Sequence, residues 1–150
     1  MRARVEERVA VAVPPRVLWE AVVDWRRQGE WVPLTTVRVE PGGHRVGERL
    51  SAATGIGPLR FEDPMEVTRW DPPQRVDVRH LGTVVRGTGT FTVEPAPGGA
   101  WFTWVEELDL PLGRLGRLGF SLVGPVVSYA LRRGLRRLAR QVEAGGRPGA

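Results

Sequence analysis

What most constrains this chain is the order in which its local signals arrive. Val5, Val9, Val11 and Val13 fall on one period-two phase among charged residues, so residues 3–13 read as a half-buried strand. Pro14-Pro15 ends that strand and pre-sets the first turn of a helix. Val17, Leu18, Ala21, Val22 and Trp25 recur at helical spacing, which predicts a helix over 15–25, and Gln28 to Trp31 adds a short helical turn before Pro33.

Alternating segments follow. Val37 and Val39 open a second strand that Pro41-Gly42-Gly43 closes, and residues 48–54 and 58–69 form a hairpin pair around Gly55-Ile56-Gly57. Asp71-Pro72-Pro73 is a strong turn signal. Beyond it Val76, Val78 and His80 share one phase of a strand. In residues 83–94 Val85, Gly87, Gly89, Phe91 and Val93 share one face, and residues 100–110 make the last strand. Residues 111–143 then read as one amphipathic helix. Its apolar residues form two lines: Leu115, Leu118, Leu122, Val126 and Tyr129, then Val127, Leu131, Leu135, Leu138 and Val142, rotated by roughly a third of a turn. A kink is expected where they change over, at Gly124-Pro125. An antiparallel sheet that buries one face needs a cover, and this helix is the element long enough to supply it.

Composition narrows the chemistry. A chain of 150 residues fits one domain that buries roughly two-thirds of its unfolded surface. With no cysteine, disulfides, thiolate metal sites and cysteine nucleophiles are excluded. Two histidines and no metal-ligand spacing leave no expected metal or cofactor. The first residues lack the apolar stretch of a secretory signal and no run approaches a membrane span, so a cytoplasmic location is expected. Every one of the 22 basic residues is arginine. Residues 111–150 carry eight arginines against Glu143 alone, a net of +7, while residues 1–110 carry a net of −2. Such asymmetry fits a solvated helix face, and it also fits an anionic membrane surface or partner. Nucleic acid is not expected, because only Tyr129 interleaves with the basic stripe.

With the elements in place, the run Val13-Pro14-Pro15-Arg16-Val17-Leu18-Trp19, then Val23-Asp24 and Trp31-Val32-Pro33, resembles the opening of the START-like, helix-grip superfamily (SRPBCC). It is closest to the polyketide cyclase/dehydrase and lipid transport branch. Val46-Gly47-Glu48-Arg49, Trp70-Asp71-Pro72-Pro73-Gln74-Arg75-Val76 and the Gly98-Gly99 turn before Phe102-Thr103-Trp104 extend the resemblance over nearly the whole chain. It implies an α+β helix-grip fold: a curved antiparallel sheet of about six to seven strands around a long C-terminal helix, with two short helices between strands 1 and 2. Residues 1–144 would form a single START-like domain, and 145–150 a flexible tail. The family offers no shared catalytic signature to transfer, so function has to come from the site.

If the sheet curves round the helix, inward strand positions line a cavity. Phe102, Trp104 and Glu106 share the inward phase of the last strand, because the opposite choice would bury Thr103 and Glu107; a β-bulge would reverse it. A buried Glu106 needs a partner, and His80 or an arginine such as Arg60 can supply one. Glu106 and His80 are therefore the candidate polar anchor or acid/base pair. Phe61, Val78, Gly87, Gly89, Phe91, Phe102, Trp104, Leu122 and Val126 are the further expected ligand-lining residues. Trp19, Trp25 and Trp31 read as packing, and Trp104 as the tryptophan that touches ligand. The glycine-rich stretch 112–123 reads as the start of an ordinary helix, or as a lid or membrane-touching patch.

Three functions remain open on these residues. The first is binding or carriage of a hydrophobic small molecule such as a lipid, isoprenoid or polyketide-like compound. The second is aromatase/cyclase-dehydratase chemistry with Glu106 or His80 moving protons. The third is surface interaction through the arginine-rich helix with a partner or an anionic membrane. A homodimer is also left open.

Overall fold

The computed structural model describes residues 2–39, 44–83 and 85–145. Seven strands form one antiparallel sheet: β1 (Arg2–Val11), β2 (Thr35–Val39), β3 (Arg49–Thr54), β4 (Phe61–Asp71), β5 (Arg75–His80), β6 (Gly87–Ala96) and β7 (Gly99–Asp109). Their order is β1-β7-β6-β5-β4-β3-β2, so the first two strands in sequence are the two edges. Helix α1 (Pro15–Val22) and a 3-10 helix (Trp25–Glu30) carry the chain from one edge to the other. Helix α2 (Gly113–Gly145) closes the chain. This is the α+β helix-grip architecture, a curled half-barrel holding a long C-terminal helix with short helices early. The turn at Pro41-Gly42-Gly43 and the tail beyond Gly145 lie outside the described residues.

The single helix expected over 15–25 is two elements. Pro15 sits in the first turn of α1, which buries Leu18, Trp19 and Val22 and ends at Val23. The tighter 3-10 turns that follow bury Trp25 and Gln28. Trp19 packs on Trp70 at 5.3 Å between ring centroids, and His44 stacks on the same indole at 5.1 Å. His44 Nε2 lies 2.9 Å from the Val23 carbonyl, which ties the end of α1 to the β4 edge of the core.

The core lies between the inward face of the sheet and the second half of α2, with Phe102, Leu135, Val67 and Val76 among its fully buried side chains. Each such side chain contributes about 1.5–3 kcal/mol through burial. The two apolar lines of α2 have different fates. Leu131, Leu135 and Leu138 are buried, whereas Leu115, Leu118, Leu122, Val126 and Tyr129 are exposed, with Leu122 at 72%. At ~100° per residue the lines lie close to half a turn apart, not a third, so only one of them can face the sheet. The outward line then continues into Arg133, Arg136 and Arg140. The chain stays helical through Pro125. The second half of α2 is pinned to the β1 side: Arg132 forms a bidentate pair with Glu7 at 3.0 and 3.2 Å, and Glu143 accepts a hydrogen bond from the Ala12 amide. Among the described residues no helix is long and apolar enough to cross a membrane.

Candidate functional site

The fold leaves a cavity of about 350 Å³ between sheet and α2. That is within the range of small-molecule sites, ~300–1,000 Å³. Its walls are the inward phases of the strands, as pleating requires: Leu50 and Ala52 from β3, Phe61 and Met65 from β4, Val76 and Val78 from β5, Phe91 from β6 and Trp104 from β7. The β7 register is unbroken against both β1 and β6, so no bulge displaces the inward phase that carries Trp104 and Glu106. Trp25, Val32 and Pro33 close one side, and Val127, Ala130 and Leu131 of α2 close the other. Trp31 braces the aromatic wall from behind, with ring centroids 5.7 Å from Trp104 and 6.2 Å from Phe91.

One cluster of ionisable side chains breaks this lining, apart from the neutral polar Gln28, Thr35 and Thr54. His80 places Nδ1 2.9 Å from Asp63 Oδ1 and Nε2 2.9 Å from Glu106 Oε2. The Trp104 indole N–H donates to Glu106 Oε1 at 2.7 Å. The cluster spans the sheet, from β4 (Asp63) through β5 (His80) to β7 (Glu106), passing over β6. Strands two apart are separated by ~10 Å, so the bridge forms only if nothing rises from the strand between. Gly89 meets that condition: a Cβ there would lie 3.0 Å from Glu106 Oε1 and 3.2 Å from Val78 Cγ2. The glycine is thus where the carboxylate rests.

The imidazole is 4% exposed, the carboxylates of Asp63 and Glu106 12% and 15%. Burial is the largest single influence on His80 and pulls its pKa down. The hydrogen bonds to Asp63 and Glu106, with the charges of both, together outweigh it and raise the pKa from 6.5 to about 10. At neutral pH His80 is therefore a cation donating from both ring nitrogens. Among the described residues every buried side-chain polar atom has a hydrogen-bond partner. No group of His, Asp and Glu there is arranged to hold a metal ion, and in the triad both imidazole nitrogens are already spent on carboxylates.

The structure brings together Phe61, Val78, His80, Gly89, Phe91, Trp104 and Glu106 around the cavity. Four other expected lining residues sit elsewhere. Phe102 is fully buried behind the wall, edge-on to Trp31 and Phe91, because it lies nearer the β7 end that packs under the short helices. Gly87 begins β6 with φ +123°, and a Cβ there would collide with the Glu107 carbonyl, so its role is backbone approach. Leu122 and Val126 point to solvent on the outward line of α2, and Val127, Ala130 and Leu131 take their place. Arg60 is exposed and is not the partner of Glu106. Sequence reasoning missed Asp63. Its signal was available: Phe61, Asp63, Met65 and Val67 form one period-two phase, and Asp63 is the only charge among them.

Sheet, helix and partly polar cavity together define a helix-grip domain built around a small-molecule-sized hollow. The chain matches the model of the family described as polyketide cyclase / dehydrase and lipid transport over residues 2–143, and it belongs to that family. Among solved structures it is similar to Zhui aromatase/cyclase from Streptomyces sp. R1128, with 16% identity, a TM-score of 0.81, and coverage of 100% of this chain and 99% of that one. It is similar to TTHA0849 from Thermus thermophilus, with 17% identity, a TM-score of 0.79 and coverage of 97% and 100%. The di-domain ARO/CYC StfQ of the steffimycin biosynthetic pathway matches at 13% identity and a TM-score of 0.77, over 97% of this chain and 52% of that one. No curated protein matches the sequence. At such identities the likeness concerns the fold.

Proposed function

We propose that this protein binds and carries a hydrophobic small molecule, of the lipid, isoprenoid or polyketide-like kind, in the cavity between sheet and α2. The observation that carries the reading is the lining itself: a hollow of about 350 Å³, mostly apolar and aromatic, with a few polar side chains and one hydrogen-bonded cluster of ionisable groups. Family membership supports it, since lipid transport and cyclase chemistry both need such a hollow. Ring closure or dehydration ranks second. An acid/base residue must present a proton or a lone pair to the substrate, and His80 has both nitrogens occupied by carboxylates. Proton transfer by His80 would require that triad to open, and Glu106, which keeps spare lone pairs, could serve only as a base.

Native mass spectrometry of protein purified from its own host tests the proposal. The expected spectrum carries one non-covalent small molecule per chain, lost on denaturation. A spectrum of bare protein, unchanged after incubation with an apolar extract of the host, contradicts it.

A second reading has its own observation. The outward line of α2 exposes Leu115, Leu118 and Leu122, and the helix carries no acid before Glu143. An apolar face flanked by arginines suits an anionic membrane surface, from which an apolar ligand could be collected. Sedimentation with phosphatidylglycerol vesicles, lost in a Leu115→Ser/Leu118→Ser/Leu122→Ser variant, is the expected result. Equal sedimentation of the variant contradicts it.

A further inference from the structure

The cavity has a definite chemical polarity, and it follows from what is missing as much as from what is present. The chain holds 22 basic residues, all arginine, yet among the described residues none of them lines the cavity. The one cation in that lining, His80, is enclosed by two carboxylates and has no N–H left to offer. The Trp104 indole N–H is likewise spent on Glu106. The hydroxyls of Thr35 and Thr54 bond to one another at 3.2 Å, with Thr35 donating to the Pro33 carbonyl, and Gln28 adds a neutral amide that can donate as well as accept but carries no charge to pair with an anion.

Acceptors, by contrast, are in surplus. Asp63 uses Oδ1 on His80, and among the described residues Oδ2 has no side-chain partner. Glu106 takes one hydrogen bond on each oxygen, and an ionised carboxylate can accept about four. Both carboxylates retain some exposure, 12% and 15%, and both line the cavity. Two acidic side chains thus share one imidazole in an apolar setting, where an unpaired anion is costly.

We infer that this site selects ligands whose polar end donates hydrogen bonds, a hydroxyl or an amine on an apolar body, and rejects carboxylate- and phosphate-ended amphiphiles. The inference rests on the carrier reading and specifies its ligand class. A donor placed near Asp63 Oδ2 and Glu106 completes the acceptor set and, if it is an ammonium, offsets the charge. A fatty-acid carboxylate in the same place adds an anion beside two acidic side chains, with no arginine at hand to receive it.

The test is calorimetric titration of the intact protein at pH 7.5 with three probes of equal chain length: decylamine, 1-decanol and decanoate. The expected order is amine and alcohol each at least tenfold tighter than decanoate. In Asp63→Asn/Glu106→Gln protein the gap between amine and decanoate should shrink to less than threefold. Decanoate binding as tightly as the other two in the wild type overturns the inference while leaving the carrier reading intact. A double variant that binds but keeps the full gap also overturns it, because selection would then lie elsewhere. Failure of all three probes to bind sinks the carrier reading and the inference with it. The wild-type comparison decides the matter even if the double variant does not fold.

Discussion

The triad makes stability depend on alkaline pH in a way that can be worked through. His80 has a folded pKa of about 10 against an ordinary 6.5. Because the folded value is the higher one, the native state binds the extra proton between these limits. Its contribution is full below pH ~6.5, declines as pH rises, and is gone above pH ~10. At ~1.4 kcal/mol per pH unit the gap between about 10 and 6.5 caps the effect at roughly 5 kcal/mol. Water reaching the partly exposed carboxylates reduces this, so a loss of about 2–3 kcal/mol between pH 7 and pH 10.5 is expected. That is a large part of a typical domain stability of ~5–15 kcal/mol. The composition makes the experiment clean, since a chain without lysine or cysteine has few other groups to titrate on the alkaline side. Urea unfolding at half-unit pH steps should show the decline in the wild type and a much flatter profile in Asp63→Asn/Glu106→Gln protein. Parallel profiles for the two proteins would refute the charged triad.

Three further outcomes follow from the packing. Gly89→Ala places a methyl group 3.0 Å from Glu106 Oε1, so it should displace the carboxylate, cost about 1–2 kcal/mol and weaken ligand binding severalfold, read by unfolding and calorimetry. Ala130→Trp fills the cavity from the helix side, so decylamine binding should vanish while the circular dichroism spectrum is retained. Leu135→Ala, at a site 1% exposed, should cost about 2–5 kcal/mol, whereas Leu122→Ala, at 72% exposed, should change stability by less than ~0.5 kcal/mol.

Much of the fold was legible because period-two strands and proline punctuation are local signals. Val76-Val78-His80 and Phe102-Trp104-Glu106 fall on the correct face for that reason, and the two faces meet across β6. The long helix was harder. Its sequence has two leucine-rich lines, and periodicity alone does not say which one the sheet covers, so Leu122 and Val126 read as cavity positions although they belong to the exposed line. Asp63 escaped for a different reason. The expected partner of a buried carboxylate is a cation such as His80 or Arg60, not a second acid. The structure instead places a second acidic side chain beside the histidine, an arrangement that a charged imidazole stabilises by donating to both. Phe102 had the right phase but the wrong height along β7, a coordinate that alternation does not carry.

The most direct test of a ligand cavity with acceptor carboxylates in its wall is a crystal structure of the protein soaked with decylamine. The expected result is electron density for the alkyl chain between Phe91, Trp104 and Leu131, with the nitrogen within ~3.2 Å of a carboxylate oxygen of Asp63 or Glu106. Side chains closing that space, or the probe found only on the outer surface at saturating concentration, would contradict it.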